Sequence, residues 1–162
     1  MRIATFPLRG VVLPRVTKEA TVLRRNAAGG VLALATTAIL VLSFKEWSAT
    51  LTPQNGSTVS GTATAAPRTG DSLLVTIRIK GGKSGDVTPW HVHSGGCDSS
   101  GAILGDPSRY APLTIGTDQS AEATALVKAV LTVGVPYSVN VHRSTSDLGV
   151  IACGNLRPIA GR

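Results

Sequence analysis

The 162-residue chain is 43% hydrophobic, carries a formal net charge of +7 and contains three histidines and two cysteines. This length allows one domain with its own core and an N-terminal extension. Residues 1–49 hold seven Lys/Arg and two Glu, and the remaining residues hold nine Lys/Arg and seven Asp/Glu. Because the basic excess belongs mostly to the N-terminus and only 4% of residues are aromatic, we do not expect a nucleic acid as partner.

The first segment in chain order, residues 1–47, is a basic leader that contains an apolar run. Residues 27–44 hold no charged side chain. This run predicts an N-terminal hydrophobic helix that is either a signal peptide or a short membrane anchor. No small-x-small cleavage site follows cleanly, and the best candidate ends at Ala49. With either alternative we expect an exported, extracytoplasmic domain, secreted or anchored to the membrane by this segment.

Residues 48–157 are predicted to form one all-β domain, with a tail at residues 158–162. Short strand-like segments alternate there with turn residues, and no long helical periodicity is present. The clearest strand covers residues 72–80, where aliphatic side chains occupy every second position. About eight short strands in this length predict an eight-stranded antiparallel Greek-key barrel or sandwich. The other strands are predicted near 49–52, 57–65, His91, 113–115, 121–128, 137–142 and 150–156.

Two histidines lie on one of these strands, with a single residue between them. Because side chains alternate along a strand, His91 and His93 point to the same side, about 7 Å apart, which suits two imidazoles that share one metal ion. In the strand at 137–142, His142 belongs to the polar set of alternating residues. All three histidines are therefore predicted on the outer wall of a sheet. Three imidazoles without a thiolate suit copper or zinc; the alternative is three unrelated surface histidines.

The two cysteines, Cys97 and Cys153, are expected to form a disulfide if the domain is exported. Cys97 lies in the longest stretch without predicted structure, residues 94–111, and loops of this length are usually functional. The disulfide would tie this loop to the last strand. A pair of free thiols is the alternative.

These motifs resemble those of the copper/zinc superoxide dismutase superfamily over residues 48–157. The order and spacing of five elements agree: His91-Val92-His93, Cys97 in a long loop, His142, Asp147-Leu148-Gly149 and Ala152-Cys153-Gly154. The resemblance implies a Greek-key barrel and a disulfide between Cys97 and Cys153. It also implies copper ligands at His91, His93 and His142 and, for a working enzyme, dismutation of superoxide to O2 and H2O2.

The chain departs from this superfamily at positions that matter for activity. Residues 94–141 contain no histidine, so the bridging histidine and a zinc site like the family's are not expected. Val150 stands where the family has its anion-guiding arginine, and Ser146 replaces an acidic residue. Arg109 and Arg143 are the remaining candidates to guide an anion. Together these departures predict one bound copper ion with weak or no superoxide dismutation.

A second resemblance is to CHRD domains, which have a His-x-His-x-Gly and a Tyr-x-Asn-Val-His element. The segment 137–142 fits the second element, whereas residues 149–154 depart from the usual end of that motif. This similarity implies a metal-free binding or structural module. A copper-binding domain, a working copper-only dismutase and such a module all remain open. The expected partners are superoxide or another small anion for an enzyme, the membrane through residues 27–44 if these are uncleaved, and a second copy in a homodimer.

Overall fold

The computed structural model describes residues 46–159. The predicted hydrophobic helix, and with it the choice between signal peptide and anchor, lies outside the described residues. Within the described range, no helix has the length and apolar character needed to cross a membrane.

The described residues form ten strands and one short 3-10 helix, which confirms the all-β prediction. The helix covers Pro107–Arg109. The strands are β1 (Trp47–Pro53), β2 (Ser60–Arg68), β3 (Ser72–Lys80), β4 (Val87–Thr88), β5 (Trp90–Ser94), β6 (Leu113–Thr114), β7 (Ser120–Lys128), β8 (Tyr137–His142), β9 (Val150–Asn155) and β10 (Arg157–Pro158).

Eight of the strands form one curled antiparallel sheet in the order β5-β8-β9-β1-β2-β3-β7, with β10 paired to the start of β1. β4 and β6 form a separate two-stranded pair. This strand order is typical of a Greek key. β5 lies beside β8, and β9 lies beside β1, although the two strands of each pair are far apart in sequence. This topology confirms the predicted fold class.

The core lies on the concave side of the curled sheet and is built by alternation along the strands. In β3, Leu73, Val75 and Ile77 are fully buried while the intervening residues are not. Trp90 and Val92 of β5 extend the same core. Burying an aliphatic or aromatic side chain of this size contributes about 1.5–3 kcal/mol relative to leaving it exposed, so this alternation fixes which face of each strand points inward.

The opposite face of β8 is also buried, although its residues are polar. Ser138, Asn140 and His142 alternate with the apolar residues of β8, and every residue of the strand is buried. A strand covered on both faces needs a second layer. Here that layer is the loop between β5 and β6, which lies over the polar side chains. The histidines therefore lie on the predicted face of the sheet, opposite the core, but a loop covers this face.

Candidate metal centre

The pairing of β5 with β8 brings the three histidines together. His91 is opposite Asn140 and His93 is opposite Ser138, so His142 falls beside the pair on the same face. The ring centroids are 5.9 Å apart for His91 and His93, 5.4 Å for His91 and His142, and 5.9 Å for His93 and His142. One ring nitrogen from each histidine lies within 4.8 Å of the other two. The sheet thus places all three predicted metal ligands at one point.

An irregularity in the sheet positions His142. The register between β8 and β9 shifts after Val141. Val141 pairs with Ala152, but His142 pairs with Val150, so Ile151 has no partner on β8. Such a bulge changes the direction of nearby side chains and is common beside functional sites. The backbone N–H of His142 donates to the carbonyl of Pro89 at 2.8 Å, which ties the end of β8 to the start of β5.

His93 is held by the loop that covers it. Its Nδ1 lies 2.9 Å from the carbonyl oxygen of Gly101. A carbonyl oxygen only accepts hydrogen bonds, so we assign the ring proton to Nδ1, and Nε2 then carries a free lone pair. Nε2 is buried and has no hydrogen-bond partner. The loop therefore fixes both the orientation and the tautomer of His93.

His142 is held in the same way by a second loop. Its Nδ1 lies 2.9 Å from the carbonyl oxygen of Leu148, which assigns the proton to Nδ1 and leaves the lone pair on Nε2. Burial lowers the pKa of His142, against the opposing effect of this hydrogen bond. In metal-binding histidines the second ring nitrogen commonly donates to a carbonyl or carboxylate, which fixes the ligand in this manner.

His91 differs from the other two histidines, because no loop carbonyl binds it. Its Nδ1 is buried without a hydrogen-bond partner. The ring packs edge-on against Tyr110, with 5.3 Å between the ring centroids. Burial, followed by repulsion from His142 and His93, lowers the pKa of His91 to about 4. The imidazole is therefore neutral at neutral pH, and the tautomer that holds its proton on Nε2 would present the Nδ1 lone pair.

The predicted disulfide between Cys97 and Cys153 is present and anchors the covering loop to β9, which confirms that expectation. Asn155 reinforces it, since its Oδ1 accepts from the backbone N–H of Cys97 at 2.9 Å. Gly95 opens the loop at φ +83, and a side chain there would collide with the backbone of residue 99. A left-handed φ and close backbone contact together require glycine at this turn.

A polar cluster beneath the loop links it to β8. Asn140 donates through Nδ2 to the hydroxyl of Ser100 at 2.9 Å, and that hydroxyl lies 3.2 Å from the hydroxyl of Ser138. Asn140 Oδ1 is 2.8 Å from the sulfur of Cys153, a contact without a proton because the sulfur belongs to the disulfide. These residues satisfy the buried polar face of β8 and hold the loop over His93.

The two arginines considered as anion guides make contacts of their own. Arg143 forms an ion pair with Asp147, with 2.9 Å between Nε and Oδ2, and both side chains are about half exposed. Arg109 donates through Nε to the carbonyl of Leu126 on β7 at 3.4 Å. Arg109 is thus directed along β7, whereas Arg143 belongs to the loop that holds His142.

The three histidines form a possible metal site. The Nδ1 of His91 and the Nε2 of His93 are buried polar atoms without partners, which is costly unless something satisfies them. One metal ion bound by imidazoles at about 2.0–2.1 Å would do so. In the described part of the chain, no other group of three or more His, Cys, Asp or Glu side chains is arranged to hold an ion.

Comparison with known proteins supports the fold. No protein-family model matches the chain, and no curated protein sequence matches it either. Solved structures of superoxide dismutase 5 from Candida albicans do match. A mutant form has a TM-score of 0.54 at 14% identity, covering 73% of this chain and 94% of that one. A Cu(II) form has a TM-score of 0.52 at 15% identity, covering 74% and 95%. At this identity the similarity establishes a superoxide dismutase-like fold.

Proposed function

We propose that this domain binds one copper ion through Nδ1 of His91 and Nε2 of His93 and His142. One observation carries the proposal: one ring nitrogen from each histidine lies within 4.8 Å of the other two, while Nδ1 of His93 and of His142 donates to a backbone carbonyl. The lowered pKa values of His91 and His142 favour neutral, metal-binding imidazoles at neutral pH.

Copper is favoured over zinc by the ligand set and by the fold. Imidazole suits both ions, and a given nitrogen site generally binds Cu²⁺ more tightly than Zn²⁺. One of the structures with a similar fold is a Cu(II) form. The site combines three histidines with no carboxylate or thiolate, and the chain contains no fourth histidine for a bridge to a second ion.

We further propose that superoxide dismutation by this domain is weak or absent. Bound copper would supply one-electron exchange with superoxide, but the chain offers little else. The ring of Tyr110 packs against His91, but its hydroxyl donates to the carbonyl of Leu104 at 2.8 Å. Arg143 is partly neutralised by Asp147. This pairing reduces the electrostatic attraction that can raise the encounter rate of an anion about 10- to 1,000-fold.

A metal-free module is the second candidate, and one observation favours it. His93 and His142 each bind a loop carbonyl, as they would if their only task were to hold the loops on the sheet. A purely structural role, however, leaves the convergence of the opposite nitrogens unexplained. The buried and unpartnered Nδ1 of His91 argues for a ligand as well.

Metal analysis of the full chain, purified with its disulfide intact and incubated with copper and zinc, separates these functions. We expect one copper ion per chain. Replacing His142 by Ala should weaken copper binding by at least roughly 100-fold, since even outer partners of metal ligands contribute about 10- to 100-fold. The matched control is Leu148→Ala, which keeps the backbone carbonyl that holds His142 and should leave the copper content unchanged.

Two results would contradict the proposal. No bound metal in the wild-type chain, together with a lower melting temperature for His93→Ala, would support the metal-free module. Equal copper content in the wild-type chain and in His142→Ala would place the copper elsewhere. A superoxide assay of the copper-loaded chain then tests turnover, and rapid consumption that is lost with His142→Ala would establish a working dismutase.

A further inference from the structure

Exposed hydrophobic side chains concentrate at one end of the domain. Seven large hydrophobic residues of the described range are exposed, and four of them belong to the β7–β8 connection or to the C-terminal end of the range. Val130 and Val133 are the most exposed of these four, at 62% and 58%. We call this set the apolar end: Val130, Val133, Val135 and Ile159.

The apolar end surrounds the point where the chain enters the domain. Trp47 lines two neighbouring cavities of about 280 and 330 Å³, which include Val133 and Val135 respectively. Ile159 donates its backbone N–H to the carbonyl of Glu46 at 2.7 Å. Exposed apolar surface gathered at one place is characteristic of a contact site for a partner or a membrane.

The sequence before Trp47 indicates which partner this is. The uncharged run 27–44 ends three residues before Trp47. Three extended residues span at most about 11 Å. If residues 27–44 are embedded in a bilayer, this end of the domain must lie at the bilayer surface. The opposite end, where β8 finishes at His142, is about 17 Å further along the strand.

The structure also bears on whether the segment is removed. The best cleavage candidate in the sequence ends at Ala49, which lies inside β1. Cleavage there would remove Trp47, which is 2% exposed and packs edge-on against Tyr137 at 5.9 Å between ring centroids. It would also remove the pairing of β1 with β10, which begins at Trp47. A folded domain therefore argues against cleavage at Ala49.

We propose that the apolar end rests on a lipid bilayer, with Val130, Val133 and Val135 in the headgroup region. Basic side chains at its rim fit this partner, since Arg68 and Arg157 line the two cavities beside Trp47 and can meet anionic headgroups. Asp71 is the one acidic residue among the described residues that line these cavities. The proposal rests on the anchor alternative for residues 27–44 and is independent of metal binding.

This arrangement also orients the histidine site. The apolar end adjoins Tyr137 at the start of β8, and His142 ends the same strand. His93 is opposite Ser138, next to Tyr137, and His91 is opposite Asn140, so the histidine cluster extends along β8 toward the distal end. With a bilayer at the apolar end, His142 would lie farther from the lipid than His93.

Fluorescence quenching in vesicles tests the contact. The full chain carrying Val133→Trp is reconstituted in vesicles of phosphatidylcholine with 30% phosphatidylglycerol, with and without brominated acyl chains, after flotation has shown that it is membrane-bound. The native Trp47 and Trp90 are buried and give the baseline. The matched control is Leu148→Trp, because Leu148 is 63% exposed in the loop after β8. We expect at least twofold stronger quenching for Val133→Trp than for Leu148→Trp.

Equal quenching of the two variants would overturn the proposal even if the chain floats, because an anchor alone then explains the binding. Failure of the full chain to float would overturn it as well. A third outcome would overturn the proposal in favour of a different partner. Here the emission of Val133→Trp is insensitive to brominated lipid but shifts to the blue as the protein-to-lipid ratio rises. The apolar end then binds a second copy of the chain.

Discussion

Acidification of the metal-free chain should destabilise it, mainly through His91. The pKa of this imidazole is about 4 in the folded state and about 6.5 in the unfolded chain. Between these two values the unfolded state binds the proton and the folded state does not. The free energy of unfolding is therefore at its full value above pH 6.5, and it decreases as the pH falls toward 4.

The magnitude follows from the size of the shift. A difference of about 2.5 pKa units corresponds to about 3 kcal/mol at most, because one unit is worth about 1.4 kcal/mol. The ring of His91 is partly exposed, and solvent screening reduces this figure to about 1–2 kcal/mol. The lowered pKa of His142 acts in the same direction.

The assay is chemical denaturation of the metal-free full chain at pH 7.5, 6 and 4.5, followed by the fluorescence of the buried Trp47 and Trp90. The His91→Asn variant is the control, since asparagine does not titrate in this range. We expect the free energy of unfolding of the wild type to fall by about 1–2 kcal/mol more than that of the variant. Parallel pH profiles for the two proteins would refute the electrostatic reasoning about the cluster.

Three further predictions concern stability. Replacing Cys97 and Cys153 by Ser should lower the free energy of unfolding by about 4 kcal/mol, because the disulfide joins positions 56 residues apart; a loss below 1 kcal/mol in denaturation would mean that the unfolded chain is already compact. Trp47→Ala should cost about 3–5 kcal/mol in the same assay, and an unchanged midpoint would argue against a structural role for the start of β1. Arg78→Ala should change stability by less than about 1 kcal/mol, because its two hydrogen bonds to Glu122 are exposed; a larger loss in a double-mutant cycle would show that the pair is more than a surface contact.

The regular part of the fold could be predicted from alternation alone. The strand at 72–80 coincides with β3 and the strand at 137–142 with β8, because each has a continuous apolar face. β2 covers Ser60–Arg68 rather than the predicted 57–65. Pro67 still pairs with Leu73, and the chain turns only at Gly70 and Asp71, which have positive φ.

The candidate site was predictable in its side chains but not in its supporting contacts. The alternation rule placed the three histidines on one face of the sheet, and neighbouring strands then brought them together. The carbonyl groups of Gly101 and Leu148, which fix two of the rings, carry no sequence signal because every residue has a carbonyl. Tyr110 contacts His91 from the far end of the loop, and nothing in its neighbourhood in the sequence indicates that contact.

The two loops that support the histidines are anchored independently, which bears on how the site would respond to reduction. The loop that binds His93 is held by the disulfide through Cys97 and by the polar cluster around Ser100. The loop that binds His142 is held by Asp147, which accepts from the backbone N–H of Gly149 at 2.9 Å and pairs with Arg143. Reduction would therefore loosen the support of His93 while that of His142 persists, so the histidine cluster would lose one oriented ligand rather than all three.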